Sequence, residues 1–206
     1  ESQDLLTVLM DSMEMGELTQ AELLDMCLIL TIGGVETTST ALSSILMLME
    51  ENSWCKDLVQ NDPKHLPALI EETLRLESPI KYSSTRTAKL NTNINGIRFA
   101  PGTPIVGLFG AANRDPDIFQ NPNDLSLSRK GKPHLGFGYG VHYCVGAHFA
   151  RLQMQVVLEI LFEELPTWRV VRPPSWKLWI GGQTRQWSPN PLIRGLASLP
   201  LVWETP

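Results

Sequence analysis

The chain has 206 residues, 43% of them hydrophobic, which is enough for one substantial core or two small domains and excludes a disordered chain. Its formal charge of -5 gives no reason to expect nucleic acid or an anionic membrane surface as a partner. Cys27, Cys55 and Cys144 are widely spaced, form no zinc or disulfide pattern, and fit a reducing compartment. Leu23–Ile32 is interrupted by Asp25 and followed by Gly33-Gly34, so no apolar run is expected to reach membrane-spanning length. The sequence opens on Glu1 within a helical pattern, shows no signal peptide, and reads as a piece of something longer.

From Asp4 to Met13, Leu5, Leu6, Leu9 and Met10 recur at helical spacing, and Gly16 ends the pattern. Thr19-Gln-Ala-Glu22 is a capping box that opens a helix over residues 20–50, apolar nearly all round and therefore expected to be buried. Its middle departs from that pattern. Gly33 and Gly34 each cost about 1 kcal/mol relative to alanine in a helix interior. Glu36, Thr37 and Thr38 then place polar groups in a stretch read as core, where an unpaired carboxylate is expensive. Paired glycines open a groove or distort the hydrogen-bond ladder, leaving room for a small ligand or water. The competing reading is a tolerated kink with Glu36 reaching solvent. Ile29 and Ile32 form an apolar substrate wall on the first reading and ordinary core on the second.

Ser53–Gln60 reads as a short helix, and Asn61-Asp62-Pro63 as a turn. A further helix occupies residues 67–77, with Leu69, Ile70, Leu74 and Leu76 as its apolar face. Glu72 and Arg75 are one turn apart on it, and alone they would be an ordinary surface pair worth little. After Pro79 the segments Lys81–Ala88, Ile94–Phe99 and Thr103–Leu108 are rich in Thr, Ile and Val, are divided by Asn-Gly and Pro-Gly turns, and read as a small sheet. The stretch Phe137–Gly146, F-G-Y-G-V-H-Y-C-V-G, then runs into helical spacing over residues 147–164. Cys144 therefore lies where a loop meets a helix start, whose unpaired N–H groups and positive dipole end suit an anionic sulfur. Gly138 and Gly140 bring backbone close to a flat ligand or to the sulfur, and Gly146 removes a side chain from the first turn. The alternative is a buried structural cysteine. The tail, with Trp168, Trp176, Trp179, Trp187 and Trp203 and many prolines, reads as strand and turn.

The order F-G-x-G-x-H-x-C-x-G strongly resembles the haem-binding loop of the cytochrome P-450 superfamily. The resemblance implies that Cys144 is the proximal iron ligand of a haem (heme b, iron protoporphyrin IX), with Phe137, Gly138 and Gly146 shaping its surroundings and His142 donating to a propionate. The segment G-G-V-E-T-T resembles the oxygen-binding part of that family's long central helix. It implies that Gly33 opens the groove, that Thr37 helps hold dioxygen and its water, and that Glu36 relays protons from solvent. E-E-T-L-R-L-E-S-P resembles the family's E-x-x-R helix, which implies buried structural roles for Glu72 and Arg75. Arg129 is their implied partner, although the family's usual Phe-Asp-Pro is replaced here by Leu125, Ser126 and Leu127. Arg86 stands where the family has a strand arginine on a haem propionate. Asn190–Gly195 with Leu199–Trp203 resembles the C-terminal hairpin.

The expected fold is mainly α with small β-sheets (α+β), one partial domain over residues 1–206 that forms the C-terminal, haem-binding part of the family's fold. The cysteine loop and proximal helix occupy residues 137–164. The implied activity is a haem-thiolate monooxygenase of the bacterial, cytoplasmic type. It would insert one atom of dioxygen into an apolar small-molecule substrate, with electrons from NAD(P)H through a ferredoxin or flavin-type donor. Peroxide-driven oxygenation is a variant within the same class. The alternative from another class is a haem-free scaffold or partner-binding fragment. With one face of the 20–50 helix short of partners, poor stability is expected of the chain alone.

Overall fold

The computed structural model describes residues 4–129, 133–171 and 187–204. The chain forms two compact units, Glu1–Thr37 and Thr38–Pro206, with the boundary inside one long helix.

In the first unit, helix α1 (Leu5–Glu14) is capped by Asp4, whose carboxylate accepts the Thr7 N–H at 2.8 Å. Helix α2 (Gln20–Glu51) opens on the expected capping box. Glu22 Oε2 accepts the Thr19 N–H at 2.8 Å and Thr19 Oγ1 accepts the Glu22 N–H at 3.2 Å. The helix runs unbroken through Gly33-Gly34. By length and composition it is long and apolar enough to cross a bilayer, since the helix continues past the two glycines. That corrects the sequence expectation, although the core helix of a packed domain meets the same description.

The burial expected along all of α2 holds only from Thr38 onward. Leu24, Leu28, Ile29, Ile32 and Val35 are 52–67% exposed, whereas Ile45, Met47 and Met49 are at most 2% exposed. Apolarity on every face signals that a helix needs cover, and the described residues cover only its C-terminal part. Ile29 and Ile32 are therefore not core here.

The second unit is built around that buried end of α2. Cys55 and Val59 of α3 (Ser53–Asn61), Leu69 and Ile70 of α4 (Leu66–Leu76), and Trp168 pack with it in one cluster. Each fully buried aliphatic side chain contributes about 1.5–3 kcal/mol. Pro67 in the first turn favours the start of α4, and Ser78-Pro79 turns the chain out of it beyond Glu77.

The β structure is more divided than the single small sheet expected. Strand β1 (Arg86–Thr87) pairs antiparallel with β4 (Pro104–Ile105), while β2 (Thr92–Ile94) and β3 (Ile97–Phe99) form a separate hairpin across Asn95-Gly96. Two short pairs form because the hairpin closes on itself locally and leaves β1 to find β4 across it. A four-residue helix, α5 (Phe109–Ala112), precedes the run to the cysteine loop, which leads into α6 (Ala147–Glu164). Strand β5 (Arg169–Val170) pairs with β6 (Leu201–Val202), and single bridges join Ile80 to Ile193 and Trp187 to Leu196. The tail is thus strand and turn where described; Trp176 and Trp179 lie outside the described residues. The mainly α fold with small sheets agrees with the sequence reading.

Candidate haem-thiolate site

The cysteine loop is tied closed by its own backbone. The Cys144 N–H donates to the Phe137 carbonyl at 2.9 Å, and the Tyr143 N–H closes a 3-10 turn on Gly140 at 3.0 Å. That path needs φ of 74° at Gly138 and 68° at Gly140, a region costly to any residue with a Cβ. A Cβ on Gly138 would also sit 3.3 Å from the His142 carbonyl oxygen. Gly146 caps α6 without any side-chain bond, and Cys144, two residues earlier, is exposed. His142 ends the 3-10 turn at the surface. Phe137, Gly138, His142, Cys144 and Gly146 thus belong to one closed loop of backbone.

Beneath the loop lies a buried ion network. Arg75 donates from Nε and Nη2 to the two oxygens of Glu72 at 2.8 and 2.7 Å, with the side chains 2% and 5% exposed. Its remaining donors reach the carbonyls of Asn113, Pro122 and Asp124 at 2.8, 2.6 and 3.1 Å. Arg129 Nε adds a bond to Glu72 at 3.0 Å, the partnership that the resemblance implied despite the altered residues before it. Sequence reasoning missed Asn113, which is fully buried. Its side chain accepts the Leu135 N–H at 2.6 Å and donates to Ser78 Oγ at 3.1 Å, so one amide links α4 to the approach of the cysteine loop.

Glu71, the neighbour of Glu72, was also missed. It accepts Arg151 Nε and Nη2 at 2.6 and 3.0 Å and His134 Nε2 at 3.1 Å. Burial alone would raise its carboxyl, but the bonds from His134 and Arg151 outweigh that and hold it down at about 2. A third carboxylate, Glu77, gathers Arg194, Arg114 and Lys81 at 2.8, 3.3 and 3.5 Å. Burial pulls the Lys81 ammonium down to about 8 against the attraction of Glu77. The hydroxyl of Tyr82 donates to the Pro191 carbonyl, so this corner fastens the C-terminal segment to the end of α4.

The remaining sequence candidates are Arg86, Gly33, Glu36 and Thr37. Arg86 is exposed on β1 opposite Ile105. Gly33, Glu36 and Thr37 belong to the first unit, where Thr37 Oγ1 donates to the Gly33 carbonyl at 2.5 Å. Among the described residues, apart from the helix's own neighbouring backbone, no atom lies within 4 Å of where a Cβ on Gly33 or Gly34 would sit.

A haem needs a thiol at an open surface with apolar residues around it, and the loop provides both. Val141 and Val145 flank Cys144 and are 98% and 90% exposed, an uncovered apolar surround that suits the face of a flat, largely apolar macrocycle.

Comparison with known proteins identifies the family. The Cytochrome P450 family model matches residues 1–167. The chain is 34% identical over 199 residues to Cytochrome P450 107B1 of Saccharopolyspora erythraea, covering 96% of this chain and 47% of that protein. Among solved structures, the tirandamycin C-bound P450 monooxygenase TamI superposes with a TM-score of 0.88 at 33% identity. P450BioI in complex with a hexadec-9Z-enoic acid ligated acyl carrier protein does so with a TM-score of 0.87 at 30% identity. Each alignment covers 98% of this chain and 49% of the solved one, so the chain spans about half the length of the relatives it matches. With a family match over most of its length and relatives of the same family on both comparisons, the chain belongs to the cytochrome P450 family.

Proposed function

We propose that this chain carries the haem-binding and proton-handling half of a bacterial cytochrome P450 monooxygenase, acting in the cytoplasm on an apolar small molecule. The observation that carries the reading is the exposed Cys144 thiol, held in a loop closed by its own N–H on Phe137 and ringed by uncovered apolar side chains. Heme b, when bound, supplies reductive activation of dioxygen and transfer of one oxygen atom to the substrate, with electrons from NAD(P)H through a ferredoxin or flavin-type donor.

Cys144 is the iron ligand of this reading. Phe137 supplies the carbonyl that receives the Cys144 N–H, Gly138 permits the turn that a Cβ would press against the His142 carbonyl, and Gly146 keeps a side chain away from the sulfur. His142 and Arg86 are the cationic or donor groups for propionates. On α2, the Thr37 hydroxyl already spends its proton on Gly33, so its oxygen presents lone pairs and receives a hydrogen bond, as from a water. Glu36, exposed one residue earlier, exchanges protons with solvent. Gly33 leaves its side of the helix free of a side chain. The apolar substrate class is supported by the relatives of known ligand, one bound to tirandamycin C and one to an acyl carrier protein bearing a hexadecenoic acid.

The test is the reduced carbon monoxide difference spectrum of this chain and of any longer version of the gene, each with and without Cys144→Ala. A strongly red-shifted Soret band that is lost in the variant supports the reading. A band that survives Cys144→Ala overturns the ligand assignment, and no band in any version leaves the haem-free scaffold as the function.

A further inference from the structure

Two adjacent carboxylates of α4 have different tasks. Glu72 turns into the core to meet Arg75 and Arg129. Glu71 reaches instead across to α6 and to the segment before the cysteine loop, with its side chain 42% exposed. An exposed pair of that kind is ordinarily worth little. Here the geometry is fuller than a pair. Arg151 presents its fork to both oxygens, and His134 adds a third donor while its own side chain is only 7% exposed. His134 Nδ1 accepts the Gly136 N–H at 2.9 Å, which leaves the ring proton on Nε2, pointed at Glu71.

Both residues held by Glu71 then touch the ring of Phe137. The Arg151 guanidinium stands 4.5 Å from its centroid, and the His134 ring lies 6.0 Å away at 39°. Tyr143 closes a further side at 6.2 Å and receives a bond from Arg151 Nη1 at 3.3 Å. Gly136, the residue before Phe137, has no room for a Cβ, which would lie 2.9 Å from both His134 Nδ1 and the Leu74 carbonyl oxygen. Phe137 is thus clamped on several sides, and its carbonyl is the acceptor of the Cys144 N–H.

We propose that Glu71 is the positioning residue of the cysteine loop: by orienting Arg151 and His134 it fixes the Phe137 ring and, through the Phe137 carbonyl, the backbone of Cys144. Without the carboxylate, Arg151 loses the anchor that holds it over the ring, and His134 loses the acceptor that sets its orientation. The loop can then sample conformations in which the Cys144 N–H is unbonded. The assignment concerns the polypeptide itself and deepens the haem-thiolate reading only in saying what holds its ligand in place.

Amide hydrogen exchange on the full, haem-free chain tests it, so a failure of the haem reading leaves this test intact. In Glu71→Ala the Cys144 amide should exchange at least about tenfold faster, with Tyr143 and Gly138 accelerated alongside. The Glu77 amide, which bonds Thr73 at the end of α4, should keep its protection, and the fall in the urea midpoint should be too small to account for the roughly tenfold change at Cys144. Alkylation of Cys144 by iodoacetamide should rise several-fold, read against a Cys27→Ser background. Glu71→Gln, which keeps an acceptor oxygen for Arg151 but loses the charge, should fall between the two. Unchanged exchange and alkylation at Cys144 in Glu71→Ala overturn the proposal. So does an equal acceleration at Cys144 and Glu77, which would mean general destabilisation instead of a local clamp.

Discussion

Removing Arg75 should be far more damaging than removing Arg129, although both donate to Glu72. Arg75→Ala breaks a two-pronged bond to a carboxylate that is 5% exposed and leaves it only Arg129 and the Ser126 N–H; breaking a buried pair from one side costs about 3–5 kcal/mol. Three carbonyls, of Asn113, Pro122 and Asp124, also lose donors, at about 1 kcal/mol for the one that stays dry. The sum, about 5 kcal/mol, approaches the whole stability of a small domain. Arg129→Ala leaves the Arg75 fork on Glu72 and exposes groups already near water, for about 1–2 kcal/mol. Urea unfolding followed by the fluorescence of the tryptophans, among them the buried Trp168, reads both. Adding Glu72→Gln to Arg75→Ala should recover about 1 kcal/mol, because a neutral amide needs less than the two donors of Arg75 and is still met by Arg129 and Ser126. Equal losses for the two arginines, or a double variant no better than Arg75→Ala, would refute the reasoning.

Gly138→Ala forces a side chain into φ of 74° and against the His142 carbonyl, at a cost of about 1–2 kcal/mol that a urea titration and a haem titration should both register. The Glu71 carboxyl, held at about 2 against an ordinary 4.5, contributes stability that is complete above the ordinary value and is lost as pH falls through about 2. Because the group is partly exposed, solvent screening limits that contribution to about 1 kcal/mol; the stability gap between the chain and Glu71→Gln should close between about pH 4.5 and pH 2. In the longer, haem-loaded protein, Thr37→Ala should divert reducing equivalents from product to peroxide, measured as peroxide formed per NAD(P)H consumed, with Thr37→Ser closer to the parent. Unchanged coupling would remove Thr37 from proton handling.

Local chemistry was readable in the sequence. A capping box is a pattern of four residues, so Thr19 and Glu22 announced the start of α2, and the glycine-bounded cysteine motif announced α6 at Ala147. The Glu72–Arg75 bond spans one helical turn and was equally visible. Most of what distant chain sets was not readable, the Arg129 bond to Glu72 being reached only through the family resemblance. All-round apolarity in α2 stated a need for cover but not whether the chain meets it, and Leu24 to Val35 stand exposed. The β segments were recognised by composition, which carries no pairing, so the division into β1–β4 and β2–β3 was hidden. Glu71 looked like the unremarkable half of a Glu-Glu pair, and nothing near it in sequence names Arg151, 80 residues on, as its partner.

The buried amide of Asn113 bears on the order in which the molecule assembles. Its bonds span 22 residues to Leu135 and 35 to Ser78, and its carbonyl is held by Arg75 across 38. Each closes a long stretch of chain, whose entropy must be lost before any bond compensates for it. None of the three is well placed until the others are, since the one side chain and its own carbonyl must be located together. The approach to the cysteine loop at Leu135 is therefore coupled to the end of α4 across the intervening strands and α5. Without a seated Asn113 the Leu135 amide, two residues before Phe137, loses its acceptor, so the approach to the cysteine loop and the end of α4 are ordered by the same side chain.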